Sequence, residues 1–468
     1  MNSTLRALNR FGLGARVGER RHIDDPRGWL RAQLKGAPPV IPPPAEATPS
    51  AISEAVRAFR TVAQGDRQAR QQARRRLVEI AAAESGATLA TRVTSDRPFI
   101  ERLVAFWSNH LCISVAGKVL VAPLAGSYER EVIRPHVLGR FEDMVLASAK
   151  HPAMLVYLDN FQSIGPGSRG AAVASRGRGQ RGLNENYARE LLELHTLGVD
   201  GGYSQKDVQE LAKILTGWTV GGLVRAGVEQ SMGPRVRRRL QSPQDPDGPI
   251  GFTFREALHE PGTKSMLGAR YGESGVEEGE RAIRALCRHP STARFIATKL
   301  VVHFVADDPP APAVDRVART FRETDGDLRA VAGALIDLQE AWDERLRKFR
   351  TPQDWLVAVL RAFNASDAGE AIMPLLRQLR HPLWSPQAPK GFGDKAQEWA
   401  DPDSLLNRAE LARTVARRFR AQSVDPRSLL EVVDIPAADP LNGFLADNAI
   451  SAADRIALVL AGPAFQWR

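Results

Sequence analysis

Apolar residues recur every three or four positions along most of the chain, a pattern that predicts amphipathic helices. Start signals support several of them, as where Thr351 precedes Pro352 at the beginning of an apolar segment. Alternation with a period of two is rare, with one short strand pair expected around Phe252–Phe254. Among the predicted helices are 141–149, 184–198, 276–288, 291–305, 311–322, 328–337, 405–421 and 452–461. The pattern predicts a mainly α protein.

Interruptions of the helical pattern predict how the chain is organised. A helical N-terminal arm, residues 1–36, is followed by a Pro-rich connector, residues 37–49, whose prolines lack the N–H donors of a helix or central strand. The helical body then covers residues 50–468, with long Gly/Pro/Arg-rich loops at about 163–183, 222–251 and 381–394. We expect at most a small β hairpin within this body.

Composition and charge narrow the class of protein. The 468 residues are 43% hydrophobic and 25% charged, which excludes a disordered or fibrous chain. The net charge is +10, and most of the surplus lies in two predicted loops. Residues 160–184 hold four arginines and no acid, and residues 225–239 hold five arginines and one acid. Such loops favour weak polyanion binding but specify no partner.

The chain carries no visible export or membrane signal. Its first residues lack a positive region followed by a run of 7–15 apolar residues, as signal peptides have. No apolar run approaches the roughly 18 residues of a transmembrane helix. Cys112 and Cys287 lie in apolar helical contexts that favour buried free thiols. These observations predict a cytoplasmic protein without a transmembrane segment.

The predicted helix over 184–198 is the most informative stretch for chemistry. Glu185, Arg189 and Glu193 follow each other at intervals of four, as in a ladder of ion pairs on an exposed face. Glu190 lies at the margin of the apolar face, three positions before Glu193, and two carboxylates so spaced can share a metal or divide acid and base roles. His195 lies on the apolar face, where a hydrogen-bonded core residue is the simpler interpretation.

A second candidate is the turn that runs from His259 to Lys264. It brings a histidine, an acid and a lysine close to a Pro-Gly pair, and turns hold side chains within reach of a substrate. One hypothesis is therefore a hydrolase pocket, in which Glu190 is a base or metal ligand and His259 an acid or ligand. Lys264 and Arg134 would hold an anionic group. The catalytic candidates are Glu190, Glu193, His259 and Lys264.

Other polar residues inside apolar segments are candidates for binding. They are Asn109, His110, Arg134, His136, Asn184, Arg189 and Trp218. The standard spacings of metalloproteases, serine hydrolases, phosphate-binding loops and Cys-x-x-Cys sites are absent from the sequence. The sequence therefore names no metal and no cofactor.

An ordered series of short motifs carries a family resemblance. The motifs are Tyr128–His136, His151–Met154, Tyr157–Asn160, Asn184–Leu191, Thr216–Trp218, His259–Lys264, Phe106–His110, Ala306–Pro310 and Pro389–Gly391. Over nearly its whole length the chain resembles the bacterial family 1800 of domains of unknown function. It departs from the family at 391–394, where Gly-Phe-Gly-Asp stands in place of the usual Gly-Trp-Pro-Asp.

The resemblance implies one large helical domain and no established activity. Relatives are often encoded beside a sulfatase-like exported protein of family 1501, also of unknown function, and many carry export signals. Three functions stay open: a binding or assembly protein that acts with such a partner, a hydrolase with a Glu/His pocket, and a polyanion-binding protein.

Overall fold

Most of the described chain is helical, and the predicted helices are present. The computed structural model describes residues 3–62, 65–174, 182–223, 249–365, 369–420, 425–436 and 438–468. In the first half the helices are α1 Ser3–Arg6, α2 Pro26–Gln33, α3 Pro49–Thr61, α4 Arg67–Thr94, α5 Pro98–His110, α6 Ala125–Tyr128, α7 Arg134–His136, α8 Phe141–Lys150, α9 Pro152–Tyr157, α10 Arg169–Ala174, α11 Asn186–Glu190 and α12 Gln205–Ile214.

The second half continues the same architecture. Its helices are α13 Val276–Cys287, α14 Pro290–Phe304, α15 Ala311–Glu323, α16 Leu328–Asp337, α17 Pro352–Ala362, α18 Gly369–Gln378, α19 Pro402–Arg420, α20 Leu441–Ala446, α21 Ala452–Ala461 and α22 Pro463–Gln466. Helix α16 has the predicted bounds. At the start of α12, the Ser204 side chain accepts from the backbone N–H of Asp207, and the Asp207 side chain accepts from the Ser204 N–H to complete a capping box.

Three segments widen into π-helical turns, at Ala7–Phe11, Glu129–Ile133 and Leu191–His195. The last of these ends the helix predicted over 184–198, and Gly198 follows with a φ of 85°. A π turn adds a residue to a helical turn and so shifts the side chains that follow it around the axis. His195, the last residue of its π turn, is buried in the core.

The described residues contain four short β-strands, which form two antiparallel pairs. β1 Trp218–Gly221 pairs with β2 Gly251–Phe254, and β3 Lys264–Met266 pairs with β4 Ala269–Tyr271. The expected strand at Phe252–Phe254 is thus confirmed. Trp218 follows α12 closely yet begins β1, because Gly217 takes a φ of 83° and turns the chain.

The core is continuous from the N-terminal segment to the last helices. Phe11 is fully buried, and its ring lies 5.7 Å from that of Phe99, 5.9 Å from that of Phe304 and 5.3 Å from that of Trp342, measured between centroids. Helices α14, α15 and α16 pack in sequence, while α19 packs on α21 and α4 packs on α18. The chain is a mainly α single domain.

The described residues leave out much of the arginine-rich loops. Of the arginines on which the polyanion prediction depends, Arg169 begins α10. Arg176, Arg178, Arg181 and the arginines of 225–239 lie outside the described residues. Within the described ranges, no helix has the length and apolar character to cross a membrane.

Candidate functional site

The two glutamates of the 184–198 stretch occupy different environments. The predicted ladder forms, with Arg189 Nη atoms 3.3 Å from Glu185 Oε2 and 3.5 Å from Glu193 Oε1. Glu190 is half-buried and makes neither a hydrogen bond nor a salt bridge with the described residues. Burial, together with the nearby Glu193, raises the pKa of the Glu190 carboxyl.

The structure brings His259 and Lys264 together, with Glu278 of α13 as their partner. His259 Nε2 lies 3.1 Å from Glu278 Oε2, and Lys264 Nζ lies 3.2 Å from both of those atoms. Lys264 Nζ also donates to the Glu260 carbonyl oxygen. The three side chains are buried, with Glu278 completely so. Neither Glu190 nor Glu193 makes a hydrogen bond in this cluster.

Hydrogen bonds join the members of the cluster to one another. His259 Nδ1 donates to the Thr216 carbonyl oxygen at 2.8 Å. The Lys264 ammonium lies within hydrogen-bond reach of His259 Nε2, Glu278 Oε2 and the Glu260 carbonyl oxygen, while Glu278 Oε1 has no hydrogen-bond partner. Because the charges of Lys264 and Glu278 pair inside the protein, this arrangement acts as an internal tie.

Arg134 belongs to another closed cluster. Its guanidinium donates to both carboxylate oxygens of Glu101, at 2.8 and 2.7 Å, and to Glu129 at 3.1 Å. Glu129 also accepts from Arg92 at 3.0 Å. The side chains of Arg134, Glu101, Glu129 and Arg92 are no more than 3% exposed. Arg134 is therefore committed to protein carboxylates.

The remaining binding candidates have local roles. His136 Nδ1 lies 2.7 Å from the Val132 carbonyl of the preceding turn, and the Asn184 amide donates to the Leu158 carbonyl at 3.2 Å. Trp218 is completely buried in β1 beneath Phe252, and its Nε1 has no hydrogen-bond partner. Asn109 and His110, by contrast, line a cavity.

This cavity, called here the Lys299 cavity, has a volume of about 360 Å³. Its walls are the end of α5 with Cys112 and Ile113, the middle of α14 with Thr298–His303, the start of α17 and the loop 381–398. Phe106, Ile113, Val302 and Leu383 supply an apolar lining. Its size falls within the range of small-molecule sites, which extends from about 300 to 1,000 Å³.

The acids that line the cavity have partners in the protein. Asp354 lies 3.1 Å from Arg102, and Asp394 Oδ2 lies 2.8 Å from His303 Nδ1. Burial opposes ionisation of Asp394, but His303 and Lys348 hold its pKa at about 2. Glu398, at the rim, accepts from the backbone N–H of Lys395.

The lysines that line the cavity have no such partners. Among the described residues, no carboxylate forms a salt bridge with Lys299, Lys390 or Lys395. The Lys299 ammonium also makes no hydrogen bond with any described residue. Its Nζ lies 5.6 Å from the centroid of the Phe295 ring. Burial lowers the pKa of the Lys299 ammonium. Even with Glu398 counted against the three lysines, the cavity keeps an excess of positive charge.

Histidines on the cavity wall are held in the neutral form. Burial lowers the pKa of His381 to about 3 and that of His110 well below its usual value. His381 Nδ1 accepts from the backbone N–H of Gln353 at 3.4 Å, so Nε2 carries the proton, and it has no acceptor among the described residues. The His381 ring is stacked on Trp399, with centroids 4.7 Å apart.

The outer wall of the cavity is fastened to the segment that follows α5. The Asn109 side-chain amide forms two hydrogen bonds with the backbone of Phe392. It donates to the Phe392 carbonyl at 2.9 Å and accepts from the Phe392 N–H at 2.8 Å. Ser114 and Cys112 bond to the carbonyls of Pro386 and Pro389. Gly391 has a φ of 81°, and a Cβ there would lie 2.4 Å from the Asn109 carbonyl oxygen. The loop thus has a fixed position.

Cys112 lines the cavity, and the charge of Glu190 acts on its thiol. Burial raises the pKa of its thiol to about 12, Lys299 acts in the opposite direction and Glu190 adds to the increase. His195 lies behind His110 with neither ring nitrogen bonded, so the hydrogen-bonded core histidine expected there is buried but unpartnered. Both cysteines are free and buried, as predicted.

The described residues hold no group of three or more His, Cys, Asp or Glu side chains that could bind a metal ion. A groove of about 440 Å³ also runs along α14 and α15, but two of the charged residues in it, Arg294 and Asp315, pair with each other at 2.8 Å. The Lys299 cavity differs from this groove in having a half-buried lysine without a carboxylate partner.

Lys299 is the residue that our sequence analysis missed. It is the single lysine in the apolar run Phe295–Val305 and stands four positions before His303, on the same face of α14. The signal that could have identified Lys299 is a lone lysine within an otherwise apolar stretch of helix. What the sequence could not provide was the position of the loop 381–398, which closes the cavity.

The fold and the cavity define a large α-helical protein with a partly open cavity that three lysines line. The chain belongs to the family of proteins of unknown function numbered 1800 (DUF1800), whose model matches residues 6–467. This confirms the resemblance. No curated protein and no solved structure matches the chain.

Proposed function

We propose that the chain is a binding protein and that the Lys299 cavity takes a small anionic ligand. The observation that carries this proposal is the imbalance of partners: the cavity's buried acids are engaged, whereas Lys299, Lys390 and Lys395 face no carboxylate. A half-buried cation without a partner, such as Lys299, is partly desolvated, and a bound anion would offset that cost.

The cavity also offers the ligand directional contacts. The Nε2–H of His381 is a free donor, and the apolar lining from Phe106, Val302 and Leu383 suits a hydrocarbon body. Since Asn109 holds the loop in place, the ligand would meet a preformed site.

The test is a titration of the protein with acetate, sulfate or inorganic phosphate at constant ionic strength. The melting temperature is measured at each anion concentration. We expect at least one of these anions to stabilise the protein in a saturable way. A Lys390→Met/Lys395→Met variant should weaken that binding several-fold.

A matched control removes two positive charges elsewhere. Arg319 and Arg322 are exposed in the groove along α15, so Arg319→Met/Arg322→Met should leave anion binding unchanged. The proposal fails if no anion stabilises the wild-type protein, or if the two double variants lose binding equally.

The family resemblance supports a second level of this proposal, namely that the chain acts with a sulfatase-like protein of family 1501. A sulfated or carboxylated ligand would suit both a sulfatase-like protein and a cationic cavity. Affinity purification of the chain from its native host should recover that protein, and repeated purifications without it would contradict the partnership.

The hydrolase alternative rests on Glu190, a half-buried carboxyl with a raised pKa and no bonded partner. Such a group suits proton transfer. A Glu190→Gln variant that binds anions normally and complements a deletion strain would remove this alternative.

Polyanion binding rests on the charge of the arginine-rich loops. Retention on heparin should fall steeply with salt, and it should be lost when 169–181 and 235–239 are deleted.

A further inference from the structure

Lys299 differs from the other lysines of the cavity in its surroundings. Lys390 and Lys395 are exposed at the rim, whereas Lys299 is half-buried on α14 above the Phe295 ring. Its amine makes no hydrogen bond or salt bridge with a described residue. Lys299 thus lines a partly open, largely apolar cavity, where a primary amine is within reach of a ligand and less hydrated than at the surface.

The surroundings of Lys299 lower the pKa of its ammonium on balance. Burial is the largest influence and lowers this pKa, while Cys112 and Asp394 act in the opposite direction. His110 and His195 stay neutral because burial lowers their pKa values, that of His195 to about 3. Asp394 is held by His303, so it is not a dedicated counter-ion for Lys299.

We propose that Lys299 forms an imine with a ligand that carries both a carbonyl group and a negatively charged group, such as an oxo acid. This inference rests on the proposed binding function of the cavity and adds a covalent step to it. The rim lysines would hold the anionic group, and the carbonyl would extend to Lys299.

The step is balanced without an oxidant or a reductant. The lone pair of the neutral Lys299 amine attacks the carbonyl carbon, and a C–N bond forms as the C=O π electrons move to oxygen. The two N–H protons pass to that oxygen, which leaves as water, and a C=N double bond remains.

The experiment traps this imine in the full-length protein. Glyoxylate is the probe, since it joins an aldehyde to a carboxylate, and sodium cyanoborohydride delivers the hydride that reduces the C=N bond. Peptide mass spectrometry then follows the carboxymethyl adduct at each lysine near neutral pH. Each unit by which a pKa falls makes the neutral amine about tenfold more abundant, so Lys299 should be modified at least several-fold faster than Lys390 or Lys395.

Two controls separate the outcomes. Lys299→Arg removes the primary amine and should abolish that adduct, while the slower adducts at Lys390 and Lys395 should still form. Propanal lacks the carboxylate and should modify Lys299 more slowly than glyoxylate does. The inference is overturned if Lys299 reacts no faster than the rim lysines, or if propanal reacts equally fast. Anion binding that persists in either case would leave the proposed function standing, whereas its absence would remove both.

Discussion

The closed clusters around Arg134 and Lys264 and the Lys299 cavity are built from the same residue types but differ in their partners. In the clusters, Arg134 meets Glu101 and Glu129, and Lys264 meets Glu278 and His259. In the cavity, Lys299 meets no carboxylate. A dense group of ionisable residues is therefore not by itself evidence of a site, and an ionisable residue without a partner is the better guide.

The comparison predicts its largest effect at Arg134. Replacing it with methionine would leave Glu101 and Glu129 buried without this partner, a change that costs about 3–5 kcal/mol in comparable cases. Chemical denaturation measures the loss. Arg189→Met is the control, because its pairs are half exposed and worth no more than about 0.5 kcal/mol each. Equal losses in the two variants would contradict the distinction.

The second prediction concerns Lys264, which would be a catalytic residue if the hydrolase hypothesis were right. We expect Lys264→Met to destabilise the protein by about 3 kcal/mol because Glu278 loses its counter-ion. The double variant Lys264→Met/Glu278→Leu should recover most of that stability, as denaturation curves would reveal. Additive losses from the two substitutions would indicate that the cluster is not an internal tie.

The third prediction sharpens the role of the cavity wall. Asn109→Ala removes two hydrogen bonds to Phe392 and should cost about 1–2 kcal/mol. It should also weaken anion binding and speed proteolysis within 386–399. Asn184→Ala is the control. It removes the hydrogen bond from the Asn184 side-chain amide to the Leu158 carbonyl, away from the loop, and should leave anion affinity intact. If Asn109→Ala changed neither anion affinity nor the rate of proteolysis within 386–399, the idea that Asn109 holds this loop in a preformed position would be wrong.

The fourth and smallest effect is a pH dependence at Glu190. Because its pKa is raised in the folded protein, its ionisation on raising the pH destabilises the fold. Glu190→Gln should therefore melt at a higher temperature than wild type at about pH 8, and the difference should vanish below about pH 4. Glu193→Gln should show no such gain, since Glu193 pairs with Arg189. Identical pH profiles for wild type and Glu190→Gln would contradict this assignment.

The fold could be predicted from the sequence further than the site could. Periodicity and caps located helices such as α16 and α17, because local spacing and capping dictate them. The β3–β4 hairpin was missed, since its turn places Leu267 at a φ of 49° where asparagine or aspartate would be the usual signal.

The candidate site depended on contacts between distant segments. His259 and Lys264 are close in sequence, yet their partner Glu278 lies on another element. Asn109 was identified from the sequence, but its bonds to Phe392 span 283 positions. No local pattern could indicate which acids meet a base and which lysine is left without one.

The most direct test of the account is a pH titration of individual lysines by NMR after ¹³C-methylation, with signals assigned by Lys299→Arg, Lys390→Arg and Lys395→Arg. We predict that Lys299 titrates below both rim lysines and that added acetate moves its pKa upward. A Lys299 that titrates together with the rim lysines and ignores acetate would contradict the claim that it is the unpartnered amine of a ligand site.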